Sequence, residues 1–283
     1  MGKERGIGGT EIWVVANLPV KYFALICMLN TLPLLLLGQP IITGHRGAAG
    51  LAPENTLVSV QKALDLGVHR VEVDVQQTKD GVVICMHDRT LNRTTNMQGE
   101  VRDFTWAELQ TTKANVGFEA TYPETIIPTL EELFLVIDGK AEFVIEIKDG
   151  NAYYPGIEDK VVALIQKYNA EKWALVHTFN DEALFYLHEK HPTIRLQKLF
   201  VSHTPSISMM LDFKLHSSDL SDYFFVEAFS VHRSFITKAI VKDAHAMGKK
   251  VHVWTVNEPK EMKKLLKWGV DGIITDRPDL LLQ

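Results

Sequence analysis

Nine short apolar stretches constrain the fold of this chain more than any other feature. They fall at residues 41–43, 71–75, 82–86, 142–147, 174–178, 195–200, 223–229, 250–256 and 272–275. Helical periodicity runs between them over 130–137, 157–168, 181–188, 235–247 and 260–268. A further amphipathic helix, with Leu57, Val60, Ala63 and Leu64 on one face, is expected to open at Glu54 or Asn55 and to stop at Gly67. The Met-rich piece within 202–220 is also expected to be helical. Strands that alternate with helices imply a parallel α/β sheet.

One pair of stretches breaks the alternation. Residues 71–75 and 82–86 are joined through the tight turn Lys79-Asp80-Gly81. A parallel neighbour needs a crossover of about a dozen residues or more, so 82–86 must run antiparallel to the preceding strand. The other eight strands then close a (β/α)8 TIM barrel, with a β-hairpin and a small insertion (89–125) after barrel strand 2. Residues 40–283 would form this one domain, since barrels of about 250 residues are ordinary single units.

Residues 1–39 read differently. Lys3, Arg5 and Lys21 precede an apolar run, 22–37, that is interrupted by Asn30, Thr31 and Pro33. Basic residues before a short apolar run resemble a secretory signal. The run falls short of the about 20 apolar residues that a spanning helix needs. An uncleaved anchor and a buried helix at the barrel bottom are the alternatives. The expected location is therefore exported (periplasmic or extracellular) or membrane-anchored through 22–37, with membrane association by that leader. A net charge of −5 with no basic stripe argues against a nucleic-acid partner. Cys27 and Cys85 are the only cysteines, which excludes a disulfide framework.

Chemistry is concentrated in residues 43–96. Glu72 and Asp74 are two apart on a strand, so both side chains point to one face. A face turned to a packed core should not carry two carboxylates unless something cationic neutralises them. Glu146-Ile147-Lys148 repeats the pattern on the next barrel strand. Three carboxylates with oxygen ligation suit one divalent cation, Ca²⁺ or Mg²⁺. A purely structural ion-pair network among Glu72, Asp74, Glu146, Lys148 and Arg46 is the plainer alternative. His45 and His87 each follow an apolar strand, where barrel enzymes gather their catalytic groups. Folding the hairpin about Lys79-Asp80 brings His87 roughly opposite Glu72. Two histidines can divide proton removal from proton donation, while Arg46 and Lys148 would hold phosphate oxygens. His177, His188, His191, His245 and His252 have no partner at informative spacing and are expected to be surface or packing residues. Asp276-Arg277-Pro278 is expected to be a capped helix start. Trp254 and Phe179 could each belong to the core or to a pocket wall.

The motifs Gly44-His45-Arg46-Gly47, Pro53-Glu54-Asn55-Thr56, Glu72-x-Asp74, Thr78-Lys79-Asp80-Gly81, His87-Asp88 and Leu91-x-Arg93-Thr94-Thr95 together resemble the glycerophosphodiester phosphodiesterase family. The likeness continues through Ile127-Pro128-Thr129-Leu130-Glu131-Glu132, Glu146-Ile147-Lys148, Val253-Trp254-Thr255-Val256-Asn257 and 271–278, and is loose only over 195–230. Thr178-Phe179 stands where that family often has Ser-Phe. The resemblance implies Glu72, Asp74 and Glu146 as metal ligands and His45 and His87 as the acid–base pair. It further implies Arg46 and Lys148 as phosphate contacts and Trp254 and Phe179 as the pocket wall. Residues 92–122 match a small insertion expected to cover the barrel mouth. The implied reaction is metal-assisted hydrolysis of a small-molecule glycerophosphodiester to glycerol 3-phosphate and an alcohol. The attacking hydroxyl would be water or the glycerol 2-OH. A lysophospholipid substrate on the same site, and a membrane-tethered binding module without catalysis, are the alternative readings.

Overall fold

The computed structural model describes residues 39–200, 203–204, 209–210 and 220–282. The leader residues 22–37 and most of 202–220 thus lie outside the described residues. The chain divides into the units Met1–Gln39 and Pro40–Gln283. No helix among the described residues is long and apolar enough to cross a membrane.

Eight strands of the second unit run parallel and close on themselves. In chain order the elements are β1 (Ile41–Gly44), α1 (Leu57–Asp65), β2 (Arg70–Gln77), β3 (Val83–Cys85), α2 (Trp106–Leu109), α3 (Leu130–Ile137), β4 (Glu142–Ile147) and α4 (Ile157–Lys167). They continue with β5 (Ala174–Thr178), α5 (Asp181–Lys190), β6 (Arg195–Phe200), β7 (His203–Thr204), β8 (Met209–Met210) and β9 (Ala228–His232). The chain then adds α6 (Lys238–Ala246), β10 (Lys250–Trp254), α7 (Pro259–Lys267) and β11 (Gly272–Thr275). The barrel order is β1-β2-β4-β5-β6-β9-β10-β11, and β11 pairs with β1 to close it. The expected (β/α)8 TIM barrel is therefore the fold.

β2 is longer than its barrel neighbour β1 can cover, and its far end is paired by β3 instead. Val75 faces Cys85 and Gln77 faces Val83 in the expected antiparallel register. Met86 N–H then donates to the Asp74 carbonyl (3.0 Å), so His87 enters one step past Asp74, near the level of Glu72. The insertion that follows has a core of its own. Ile84, Met86, Leu91, Val101, Leu109, Ala114 and Ile127 are buried together beneath Met97, Phe104 and Trp106. Each of these side chains larger than alanine contributes about 1.5–3 kcal/mol when fully buried, enough to hold this piece in a fixed place on the hairpin arm.

The period-two reading of the strands is seen in the burial. Val71, Val73 and Val75 join Phe143, Ile145, Ile147 and the helices in the outer core. Glu72, Asp74 and Glu146 point the other way, into the barrel, and are buried there.

Three elements depart most from the sequence expectations, while the others shift by three residues or fewer at either end. The strand expected over 223–229 is shifted to Ala228–His232, because the aromatics before it pack on α5: Phe225 stacks on His188 at 3.9 Å and Phe185 on Tyr223. Helix α1 begins at Leu57, where Thr56 accepts from the Ser59 N–H as cap, rather than at Glu54 or Asn55. Within 202–220, Met209-Met210 pairs antiparallel with His203-Thr204 in place of a helix.

Candidate active site

The turn after β1 shows why two glycines flank His45 and Arg46. A Cβ on Gly44 would stand 2.1 Å from the Gly47 carbonyl oxygen, and Gly47 has φ +86° with Ser59 against it. Arg46 itself takes φ +51°, a costly conformation for a side-chain-bearing residue that concentrates at functional sites. The bend lets the Arg46 N–H donate to Glu72 Oε2 at 2.8 Å. It also places His45 at the carboxyl end of the barrel, where its Nε2 is 4.0 Å from the same oxygen.

A cavity of about 160 Å³ opens at this end. Its lining includes His45, Arg46, Glu72, His87, Glu146, Lys148, Phe179 and Trp254. Every site residue expected from the sequence lines it except Asp74, which sits directly behind. Phe179 and Trp254 form one wall as an edge-on pair 5.5 Å apart, and the Trp254 indole N–H donates to the Ser230 carbonyl. The pocket-wall alternative is the one realised for both.

Two of the pocket histidines, His45 and His87, have an aspartate on Nδ1. His45 bonds Asp276 Oδ1 at 2.6 Å and His87 bonds Asp88 Oδ1 at 2.6 Å. A carboxylate can only accept, so Nδ1 carries the proton in each ring and the Nε2 lone pair is left for chemistry. Asp276 is held in turn by Asn257, whose Nδ2 donates to its Oδ2 at 2.6 Å. Asp276 is thus the orienting partner of a pocket histidine rather than only the start of the 3₁₀ turn at Pro278–Leu280. Burial disfavours the His45 imidazolium, but the Asp276 hydrogen bond and Glu72 outweigh it and lift the group above its ordinary value.

The carboxylates are neutralised from two sides. Lys148 Nζ lies 2.9 Å from Asp74 Oδ1 and 2.6 Å from Glu146 Oε1. Arg46 Nε is 3.2 Å from Asp74 Oδ2, which also accepts from Asn55 Nδ2 at 2.8 Å. Burial alone would raise the Asp74 carboxyl, yet Lys148 and Arg46 beside it hold it well below the usual range. Burial pushes Glu146 up, against the pull of Lys148. Asn55, read from sequence as a helix opener, is instead a brace for Asp74: it also accepts the Asp74 N–H, at 3.0 Å.

His177 is the residue that sequence reasoning placed wrongly. It is buried on β5 opposite Glu146, lines the cavity, and turns Nε2 toward Glu72 Oε1 (3.6 Å) and Glu146 Oε2 (3.8 Å). Neither ring nitrogen has a hydrogen-bond partner, nor does Glu72 Oε1. Donor atoms of Glu72, Glu146 and His177 lie within 4.8 Å of one another. Buried, unpartnered oxygen and nitrogen donors converging at that spacing fit a divalent cation, with Asp74 adjoining. The expected reading holds for the other histidines: His188 packs on Phe225, His191 and His245 bond Asp159 and Asp271, and His252 is buried beside Arg70 in the barrel interior.

Comparison with known proteins agrees with this geometry. Residues 45–280 match the model of the glycerophosphoryl diester phosphodiesterase family. A glycerophosphodiester phosphodiesterase of Caldanaerobacter subterraneus is 36% identical over 247 residues, covering 86% of this chain and 97% of that protein. One from Bacillus altitudinis is 37% identical over 242 residues, covering 84% and 95%. Among solved structures, a phosphodiesterase of Oleispira antarctica in complex with the product sn-glycerol-3-phosphate superposes with a TM-score of 0.72 at 30% identity, covering 86% of this chain and 95% of that one. The chain belongs to the glycerophosphoryl diester phosphodiesterase family.

Proposed function

We propose that this protein hydrolyses glycerophosphodiesters to glycerol 3-phosphate and an alcohol, as a phosphoric diester hydrolase. The observation that carries the reading is the pair of aspartate-oriented histidines in one cavity with buried carboxylates, Arg46 and Lys148. It is supported by the family match and by the product named for the Oleispira relative. One histidine would take the proton of the attacking hydroxyl and the other would protonate the leaving oxygen. Both present Nε2 while an aspartate fixes the ring, so neither needs to reorient between the two transfers. Arg46 and Lys148 would share their positive charge with the phosphoryl oxygens, Arg as a fork and Lys as a point charge. The edge-on wall of Phe179 and Trp254 would take the apolar face of the glycerol and exclude water from that side.

Glu72 and Glu146, with Asp74 and His177 beside them, would hold one divalent cation, and the carboxylate oxygens point to Mg²⁺ or Ca²⁺. Such an ion would supply Lewis-acid polarisation of the phosphoryl oxygens.

The substrate class is tested by offering the purified chain glycerophosphocholine, glycerophosphoethanolamine and lysophosphatidylcholine and measuring the released alcohol and glycerol 3-phosphate. Turnover of the two water-soluble diesters is expected to exceed that of the lysolipid. Release of choline from lysophosphatidylcholine alone would move the substrate to lysophospholipids, and binding of all three without turnover would leave a binding module.

A further inference from the structure

Arg93 does not line the cavity, yet its guanidinium bonds two carboxylates that each hold a cavity group. Nε and Nη2 donate to Asp88 Oδ2 (2.7 Å) and Oδ1 (3.3 Å). Nη1 and Nη2 donate to Glu54 Oε2 (2.7 Å) and Oε1 (2.8 Å). Asp88 Oδ1 is the acceptor for His87 Nδ1, and Glu54 Oε1 is the acceptor for Arg46 Nη1 at 2.8 Å. A continuous run of short contacts therefore leads from His87 through Asp88, Arg93 and Glu54 to Arg46, and on to Asp74. Its members come from separate parts of the chain. Glu54 precedes α1, His87-Asp88 follows β3, and Arg93 belongs to the insertion.

Stability is a poor explanation for this arrangement. The Arg93 side chain is 46% exposed, and exposed ion pairs contribute about 0–1 kcal/mol. Orientation is a better one, because a planar guanidinium fixes the direction of each carboxylate it grips. Its seat is firm. Leu91 and Thr95 on either side are buried, Thr95 Oγ1 donates to the Leu91 carbonyl at 2.7 Å, and Thr94 Oγ1 donates to Met86 Sδ at 3.4 Å. Without the guanidinium, Glu54 and Asp88 would be two neighbouring carboxylates with one cation fewer between them. Both would be free to turn toward solvent, leaving His87 without a fixed partner and the Arg46 side chain with Asp74 alone.

We infer that Arg93 is a positioning residue that sets the orientation of His87 and Arg46 toward each other, so that the insertion takes part in the chemistry without touching the substrate. The inference rests on the proton-transfer role of His87 and the phosphate role of Arg46 proposed above.

The test uses the full chain as Arg93→Ala and Arg93→Lys. It measures kcat and KM for glycerophosphocholine, the melting temperature, and the imidazole ¹⁵N spectrum of ¹⁵N-histidine-labelled protein, with the His87 signals assigned by His87→Ala. In Arg93→Ala, kcat should fall about 10–100-fold, the scale on which an outer partner of an oriented histidine acts at metal sites. KM should rise severalfold, the melting temperature should stay within a few degrees, and the His87 nitrogens should shift. Arg93→Lys should recover little, because one ammonium cannot grip both carboxylates as a fork. A wild-type kcat in Arg93→Ala overturns the inference whatever the spectrum shows. Full activity in Arg93→Lys also overturns it, by reducing the role to charge. So does a loss of kcat that comes with a collapsed melting temperature and unchanged His87 signals. If the unsubstituted chain turns over no glycerophosphodiester, the proposed function fails instead. The His87 spectrum then decides alone, with unchanged signals in Arg93→Ala overturning the positioning role.

Discussion

Alanine in place of either His45 or His87 is expected to lower kcat for glycerophosphocholine by about 10²–10⁴-fold, the usual contribution of a positioned acid or base. The two rings are the only cavity groups whose Nδ1 is held by an aspartate and whose Nε2 is free to exchange a proton. Lys148 and Arg46 are committed as cations beside Asp74, and His177, the third histidine of the cavity, turns its Nε2 to Glu72 and Glu146 and has no aspartate to fix its ring. Folding should be little affected. His45 is half-buried at a strand end and His87 lies partly exposed on the hairpin arm, so neither fills the core. Asp276→Asn should act in the same direction as His45→Ala but less strongly, because the ring remains and only its charge partner is lost. Steady-state kinetics beside thermal melts check all three. An alanine variant that keeps more than about a tenth of wild-type kcat would remove that histidine from proton transfer.

Much of this site can be read along the chain because β-strands alternate. Glu72, Asp74 and Glu146 declare themselves as charges at inward positions of otherwise apolar strands, and His45 and His87 as polar residues directly past a strand end. The hairpin follows from the length of one turn. His177 hides because its neighbours Val176 and Thr178 make an unremarkable apolar strand, and its partner Glu146 lies 31 residues earlier, across the ladder from β4 to β5. A signal did exist: His177 shares its strand face with Phe179, two residues on, so a pocket-wall role for Phe179 brings His177 inward too. Asp276 follows β11 as His45 follows β1, and closure of the barrel between these two strands is what makes them neighbours. Local rules gave both Asn55 and Asp276 to helix caps, because Asx residues before a helix usually are caps. Here their side chains turn back to Asp74 and His45 instead, and only the tertiary fold supplies those partners.

Glu72 separates a metal-dependent site from the structural ion-pair network that its sequence also allows. If it were part of such a network, its removal would strand a buried cation and cost about 3–5 kcal/mol. The structure leaves no cation dependent on it. Arg46 retains Glu54 and Asp74, and Lys148 retains Asp74 and Glu146. Glu72 accepts one hydrogen bond, from the Arg46 N–H, and an amide oxygen could accept the same bond. Glu72→Gln should therefore melt at or above the wild-type temperature in the absence of metal, because a buried carboxylate is costly when no lysine or arginine side chain pairs with it. The same variant should turn over glycerophosphocholine at less than about 1% of the wild-type rate and bind divalent cations at least about tenfold more weakly, since the removed charge is the one left over for the ion. Calorimetric titration with Mg²⁺ and with Ca²⁺ reads the affinity directly, apart from activity. In parallel, EDTA should abolish wild-type turnover, and excess Mg²⁺ or Ca²⁺ should restore it. Full turnover in EDTA, or a Glu72→Gln variant that binds the ions as tightly as wild type yet melts far below it, would return these carboxylates to the structural network.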